Sequence, residues 1–355
     1  MAAYTTIDDS SAHFQTTTYT GTGSSTSITN DGNSSMQPDL LWIKQRNGQG
    51  TSHMITDSSR GVGNFLFSNL TNAETNSTID VTSFDSNGFS LGTGASVNQS
   101  GGYLYVAWQW NCNGGTTSSN TSGTITTTVQ ANTDAGFSIV TWAGNASNAT
   151  MGHGLGATPQ VIISKALGTT NDWNVYHRDL DATAPYNYLL SLHNTNARSA
   201  ATGSWGTSLS DVNSNTFYKK YWINYNTNMV AYCFAEKQGY SKFGKYIGNG
   251  NANGPFVYTG FKPAFVLLKN RDTTSNWFIL DTKRNLGNVT EDYLMPSSDA
   301  AESTSLDAAD IDILSNGFKI RTSYSETNTS GHNITYMAFA ENPFVTSTGV
   351  PTTAR

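Results

Sequence analysis

The chain reads as an all-β protein made of three copies of one β-rich module, and three observations predict it. First, a proline opens an apolar run that closes on a lysine six residues later, three times over: Pro38 to Lys44, Pro159 to Lys165 and Pro263 to Lys269. An internal repeat fixes the architecture before any local assignment is made. Second, only 12% of the residues are charged, about half the usual share of roughly 25%. Ser, Thr, Asn and Gly must then cover the surface, and these favour turns and strands over helices. Third, short apolar or alternating runs are bounded by Gly, Asn, Asp and Ser clusters, at spacings typical of sandwiches and barrels.

The first module spans residues 1–112. Its landmarks are Tyr19-Thr20-Gly21, the run Leu40 to Lys44, Ser86-Asn87-Gly88-Phe89, and the aromatic close from Tyr103 to Trp110. Residues 113–123 are rich in Gly, Ser, Thr and Asn and read as a flexible linker. The second module, 123–236, repeats the order with Trp142-Ala143-Gly144, Val161 to Lys165, Ser214-Asn215-Thr216-Phe217 and Met229 to Glu236. A short joint, Lys237-Gln238-Gly239, leads into the third module, 239–342. There stand Tyr246-Ile247-Gly248, Ala264 to Lys269, Ser315-Asn316-Gly317-Phe318 and Ile334 to Glu341. Proline is tolerated at the head of each run because a strand's first residue need not donate to the ladder. Asn87-Gly88 and Asn316-Gly317 are hairpin dipeptides, since a tight turn wants φ > 0 there. The best helix candidate, a weak one, covers Asp299 to Ile313. Residues 343–355 form a polar tail, too short to fold alone and expected to dock on a neighbour.

Spacings of 121 and 104 residues between the three prolines give each module ordinary domain size. The formal charge of −6, with no basic stripe, argues against nucleic-acid binding, which rests on phosphate neutralisation. No run approaches the ~18–20 apolar residues that span a bilayer, and the first residues lack the charged and apolar regions of a secretory signal. This combination fits a virion protein, assembled in the host cytoplasm and extracellular in the mature particle. Cys112 and Cys233 lie in different modules without metal-ligand spacing, so they read as free thiols, Cys233 in a buried strand. The six histidines (His13, His53, His153, His177, His193, His332) form no close pair, and neither a metal nor a cofactor is expected.

Gly88-Phe89-Ser90-Leu91-Gly92 has the form of a nucleophile elbow, but that motif needs a strand before the serine and a helix after it. Here a turn precedes and no helical periodicity follows, so a plain strand is expected. Asp57-Ser58-Ser59-Arg60 and Asp281-Thr282-Lys283-Arg284 hold matching places, with His177-Arg178-Asp179 in the second module. They read as a repeated turn ion pair rather than a sugar grip. Asp307, Asp310 and Asp312 could offer the paired carboxylates of glycoside hydrolysis, yet sit on a polar stretch that reads as a solvated loop. The second module departs most from its sisters in Phe217 to Tyr225. Alternation there would set Tyr218, Lys220 and Trp222 on one face, opposite Phe217, Lys219, Tyr221 and Ile223. Trp205, Tyr218, Lys220, Tyr221, Trp222 and Tyr225 are therefore the candidate binding or interface residues, because aromatic faces stack on sugars or anchor protein contacts.

The repeat landmarks, together with Tyr4-Thr5-Thr6-Ile7-Asp8, Gly152-His153-Gly154-Leu155-Gly156, Tyr336 to Glu341 and Pro343-Phe344 through Gly349-Val350-Pro351, resemble virion proteins of tailed phages, abundant in marine ones. That family carries tandem concanavalin-like β-sandwich domains and is described as tail fibre or structural protein. The resemblance implies three tandem antiparallel β-sandwich, jelly-roll-like modules, and it carries no catalytic residue over. The expected function is a non-enzymatic tail fibre or adhesin, a homo-oligomer and by preference a trimer, touching host surface glycan or protein and bound to other virion proteins. A capsid decoration or other virion scaffold protein is the alternative, and a polysaccharide depolymerase a more distant one.

Overall fold

A computed structural model describes residues 3–48, 50–305 and 308–352, and nearly every regular element is a strand. The first repeat supplies β1 (Phe14–Thr20), β2 (Thr26–Thr29), β3 (Leu40–Gln45), β4 (Met54–Asp57), β5 (Asn64–Phe67), β6 (Thr75–Asn76), β7 (Val81–Asp85), β8 (Gly88–Leu91) and β9 (Leu104–Trp110). The second supplies β10 (Ser118–Asn120), β11 (Thr127–Asn132), β12 (Phe137–Ala143), β13 (Ala149–Gly152), β14 (Val161–Ala166), β15 (Asn174–His177), β16 (Tyr188–Ser191), β17 (Ser199–Ala200), β18 (Thr216–Lys219) and β19 (Asn228–Phe234). From the third come β20 (Ser241–Ile247), β21 (Phe256–Tyr258), β22 (Phe261–Asn270), β23 (Trp277–Asp281), β24 (Ile311–Leu314), β25 (Gly317–Ile320) and β26 (Asn333–Pro343).

Each repeat closes its strands into a large sheet and a small one. The large sheets run β1-β9-β3-β4-β5-β6, β10-β11-β12-β19-β14-β15-β16-β17 and β20-β26-β22-β23. The small ones are β2-β8-β7, β13-β18 and β21-β25-β24. Antiparallel pairing in the same order recurs at the heart of all three large sheets, β1-β9-β3-β4 matching β12-β19-β14-β15 and β20-β26-β22-β23.

The apolar runs become β3, β14 and β22, central strands buried on both faces. One face packs under the repeat's own small sheet: Leu41 and Ile43 meet Phe89 and Leu91, and Ile162 meets Met151 and Phe217. The opposite face, carrying Leu40 and Trp42, Val161 and Ile163, or Phe265 and Leu267, turns inward to one core shared by all three repeats. Trp110, Phe234 and Phe339 sit at the same register, opposite Leu40, Val161 and Phe265. Their rings form a triangle with centroids 5.6 to 6.4 Å apart. The three repeats thus surround a common aromatic centre, with an approximate threefold arrangement inside a single chain.

Three seams of the same construction join the repeats. The main-chain N–H of Glu302, Glu74 and Arg198 donates to the carbonyls of Arg46, Leu167 and Arg271, at 2.7, 2.7 and 2.8 Å. Two residues before each of these carbonyls stands the repeated lysine. The Nζ atoms of Lys44, Lys165 and Lys269 reach the carbonyls of Asp299, Thr71 and Thr195 in the neighbouring repeat, at 3.3, 3.0 and 3.3 Å. All three lysines are fully buried. Burial lowers their amines to about 8, 8 and 7, because the charged form gives up its hydration.

Several sequence expectations need correction. Residues 113–123 are not a free linker: Asp39 Oδ2 accepts from the main-chain N–H of Cys112, Asn113 and Gly114, and its Oδ1 from Gly115. Ser118–Asn120 moreover pairs with β11, so the second sheet begins before residue 123. Pro263 lies inside β22 rather than at its head, at a β-bulge that frees it from ladder donation. The helix expected over 299–313 is not formed among its described residues; Ser303 bridges Tyr293 and Ile311 opens β24. Glu302 is drawn between Arg46 and Arg284 instead, and such contacts outweigh a weak intrinsic propensity. The tail folds back on its own chain, Ser347 donating to Asp8 and Thr352 to the Pro343 carbonyl.

Gly88 and Gly317 are glycines for a reason the turn alone does not give. A Cβ at either would lie 2.0 Å from a carbonyl of the adjoining strand, Ile28 O or Val257 O, and only Gly88 has a positive φ, +116°. Close strand approach selects the residue at both sites.

Candidate functional site

The aromatic stretch of the second repeat alternates only as far as β18 lasts. Phe217 and Lys219 point inward, and Thr216 and Tyr218 outward. The chain then turns: the N–H groups of Ile223 and Asn224 both donate to the Lys220 carbonyl at 3.0 Å. Asn224 locks the turn, accepting from Trp142 Nε1 at 2.9 Å and donating to Ser147 O at 2.8 Å. Tyr221 and Trp222 therefore project together, 55% and 37% exposed, rather than to opposite faces as alternation predicted. Lys220 caps the Thr202 carbonyl at 2.9 Å. Tyr218 stays half-buried, and Tyr225 packs against the repeat's own core.

Trp205 is a correction. It is wholly buried, tilted on Tyr176 at 5.6 Å, and cannot meet a ligand or partner. Its neighbour is the side chain that alternation hides, Lys219, whose Nζ lies 5.2 Å from the Trp205 ring and 5.7 Å from that of Trp142. Ser164 Oγ is 2.6 Å from this Nζ, and burial lowers the amine to about 7. Lys219 is thus a buried amine held between two indole faces and a hydroxyl.

The repeated Asp-x-x-Arg motifs are turn ion pairs turned inward. Arg60 Nε and Arg284 Nε each lie 2.5 Å from their own aspartate, Asp57 and Asp281, with both pairs buried. Each aspartate is sealed from the adjacent repeat, Asp57 by Tyr232 Oη at 2.8 Å and Asp281 by Trp108 Nε1 at 2.9 Å. In the second repeat His177 takes the aspartate's place, opposite Val161. The residue matching Tyr232 and Trp108 is Met337, which has no proton to give. His177 contacts the Tyr336 carbonyl instead, at 3.3 Å, and burial holds its imidazole down to about 4.

Ser90 lies in β8, bonded to Asp85 Oδ2 and facing Ser27 Oγ. A one-turn helix the sequence did not predict, Ala95–Asn98, does follow, but only after β8 has run on to Leu91, so Ser90 sits within a hairpin strand and not on an elbow. Asp312 pairs with Arg321 at 3.4 Å, Asp310 is buried just before β24, and Asp307 lies outside the described residues. Both cysteines are free and buried. Among the described residues, no group of three His, Cys, Asp or Glu side chains could hold a metal, and no helix is long and apolar enough to cross a membrane.

A cleft of about 300 Å³ opens at the seam between the third repeat and the first, between the edge strand β1 and the outer ends of β22 and β26. Two ion pairs frame it. Lys262 Nζ meets Glu341 Oε1 at 2.6 Å in its depth, and Lys283 Nζ meets both oxygens of Asp31, at 2.8 and 2.7 Å, near its exposed rim. Sequence reasoning missed this site because its residues come from five separate stretches of chain. Ala264, Thr282, Lys283, Ala340 and Glu341 do belong to repeated landmarks, but no landmark shows that their outer ends meet the N-terminal segment.

The fold defines the class, an antiparallel all-β sandwich protein whose three large sheets share one core. The chain belongs to DUF7483, a domain of unknown function, whose family model matches residues 9–343. That match runs through all three repeats as one unit. No curated protein and no solved structure matches the chain.

Proposed function

We propose that this chain is a non-enzymatic structural protein of a tailed-phage virion, a tail fibre or adhesin that contacts the host surface. The observation that carries the reading is the shared core. Three sandwiches are locked at three alike seams, which suits a rigid body that presents surfaces and suits poorly a machine that must open and close. A polar surface of low charge and the outward Tyr221–Trp222 turn support the same reading, since exposed aromatics side by side suit contact with glycan or protein. Attachment to other virion proteins, as a homo-oligomer or as single copies, is part of the proposal. The threefold arrangement within one chain supplies what a homotrimer of separate modules would otherwise have to build.

Immunogold labelling of intact particles with antibody to this chain tests the reading. Gold at the tail or its fibres supports it. Gold spread over the head overturns it in favour of a capsid decoration protein, with Tyr221 and Trp222 as a contact between subunits.

A further inference from the structure

β1, β12 and β20 hold the same place in the three large sheets, with Phe14, Phe137 and Ser241 opposite Trp110, Phe234 and Phe339. Thr16, Thr18 and Thr20 of β1 therefore match Ile139, Thr141 and Ala143 of β12, and Phe243, Lys245 and Ile247 of β20. Gly21, Gly144 and Gly248, at the ends of these ladders, donate inward to Tyr103 O, Thr227 O and His332 O. Main-chain groups along an antiparallel pair alternate in direction, so the matched residues turn N–H and C=O to the outer edge. Three equivalent edges are then treated in three ways. In the second repeat β11 pairs along β12, from Asn132 opposite Phe137 to Thr128 opposite Thr141. In the third, Lys237 O accepts from Ser241 N and Glu236 Oε1 from Phe243 N, at 2.9 and 2.8 Å. Lys245 stands exposed on the remainder, and a lysine on an edge strand opposes pairing. In the first, among the described residues, nothing bonds the outward groups of Thr16, Thr18 and Thr20. Glu341, the counterpart of Glu236, is drawn to Lys262 instead.

Among the described residues, β1 is also the one long edge of the large sheets left without a guard. β6 and β17 have two residues each and β10 three, while Leu294 bridges β23. β1 has seven, with no charge, proline or bulge, the devices that keep an edge from pairing. Thr18 is half-buried and Thr20 exposed. The neighbouring cleft has the same origin. At the first seam Asp39 gathers the N–H groups from Cys112 to Gly115, and Gln130 of β11 closes over it, accepting from Ser58 and Ser59. At the second, Gln160 Oε1 accepts from Glu236 N at 2.8 Å. The third has Ala264 in the matching place. The carbonyls of Asp39, Gln160 and Ala264 accept alike from Ser58 N, Arg178 N and Thr282 N, at 2.9, 2.8 and 3.0 Å. The Ala264 methyl group holds nothing and no strand lies outside β1, so the cleft of about 300 Å³ remains.

We infer that β1 pairs along this edge with β1 of a second copy of the chain, antiparallel about a twofold axis through Thr18. Thr18 meets its own counterpart and Thr16 meets the second copy's Thr20, each pair exchanging two main-chain hydrogen bonds, about six in all. The outward set favours a second copy over a foreign strand because it is its own complement. Antiparallel self-pairing maps Thr16 onto Thr20 and Thr18 onto itself, and threonine pairs across strands are favourable. No charge meets its own image. The charges beside the edge, Lys283 and Asp31, are already paired with each other, so two copies approach without net local repulsion. The contact also closes, since an isologous pairing uses up the long free edge of each copy and stops at two. The inference goes beyond the adhesin reading and does not rest on it, because the same dimer serves at the tail or on the head.

Sedimentation equilibrium of the full chain, from low to high micromolar concentration, tests it. The parent is a dimer at the upper end and dissociates on dilution. Thr18→Lys weakens the association about tenfold or more, because two lysines then face each other at the twofold. The fold already carries lysine at the matching place, Lys245, so this variant keeps the parent's thermal midpoint where both are monomeric. Thr18→Pro weakens the dimer as well, since it deletes one outward N–H and leaves every bond to β9 in place. Hydrogen exchange at the Thr16, Thr18 and Thr20 amides is slow in the dimer and about tenfold or more faster in Thr18→Lys. A parent that stays monomeric at every concentration overturns the inference. So does a dimer that survives both substitutions. Immunogold labelling is independent of either result, so this inference and the adhesin reading fail separately.

Discussion

Trp108 Nε1 donates to Asp281 Oδ2 at 2.9 Å across the seam between the first and third repeats. Arg284 lies over the same indole at 5.5 Å while its Nε bonds the same carboxylate. One tryptophan thus satisfies a buried ion pair from a different repeat. The same geometry recurs with Tyr232 and Asp57, and it fails at the one seam, between the second and third repeats, where the donor position is Met337. There the aspartate is gone too and His177 stands in its place. At this position of the repeat a buried carboxylate is kept only where the neighbouring repeat offers a proton, because an unsatisfied buried charge is costly.

Trp108→Phe should therefore destabilise beyond its loss of size. It leaves an Asp281 oxygen short of a donor, at about 1–3 kcal/mol. Denaturant titration followed by fluorescence measures the change. A shift below about 0.5 kcal/mol, the range of ordinary surface substitutions, would mean that the bond contributes nothing to the seam.

Lys219 is fully buried with no carboxylate partner among the described residues, only two indole faces and Ser164 around it. Lys219→Met should stabilise by about 1–4 kcal/mol, since apolar replacement of a buried ion removes its desolvation cost. The pH dependence has a definite sign. The amine titrates near 7 in the folded chain and at 10.5 ordinarily, so between these values the unfolded chain holds a proton that the native one has released. Stability rises with pH across that window. Lys44, Lys165 and Lys269, also lowered by burial, push the same way. Melting temperatures measured from pH 6.5 to 9 should climb, and less steeply in the variant. A midpoint that falls over this range contradicts the assignment.

The all-β character, the strand positions and the matched landmarks were legible in the sequence, because strand runs and turn residues signal locally. The merging of three repeats on one core was written there too, in a less obvious sign. Runs such as Leu40-Leu41-Trp42-Ile43 and Val161-Ile162-Ile163 do not alternate, and an unbroken apolar run marks a strand covered on both faces. One small sheet per repeat can cover only one of them. What the sequence could not show was anything fixed by distant partners. Composition made 113–123 a linker because the acceptor that pins it, Asp39, lies some seventy residues earlier. Alternation failed past Lys219 because Asn224 is tied to Trp142. The cleft depends on Ala264 being small where Asp39 and Gln160 are not.

Asp39→Ala should expose the first crossing. Four N–H groups lose their acceptor together, and exposed segments of small polar residues are preferred sites of proteolytic nicking. Brief digestion with a non-specific protease should cut the variant between residues 113 and 123 while sparing the parent. Equal resistance in both would show that β10 pairing alone holds the segment.

Trp222→Ala should lower binding to host cells several-fold with no change in melting temperature. Trp222 is partly exposed at the head of a turn whose anchor, Asn224, is untouched. Solvent-facing aromatics of this kind carry contact energy and little fold energy. Unchanged cell binding would take this turn out of the adhesive surface.

Phe339 touches more aromatic rings than either of its counterparts, packing on Phe14, Trp110, Phe234, Tyr240, Phe243 and Phe265 at 5.4 to 6.0 Å. These neighbours belong to all three repeats, so the ring is a shared support rather than part of one sandwich. Phe339→Ala should cost about 3–5 kcal/mol, the usual toll for truncating a buried phenylalanine. The form of the melt is the sharper test. If each repeat were stabilised on its own, the variant would lose one transition of three and keep the others. Because the aromatic triangle and three seams couple the repeats, the parent should instead unfold in a single calorimetric transition. The variant should also melt in one transition, shifted down as a whole. Two or more resolved transitions in the parent would mean that the common core does not carry the cooperativity.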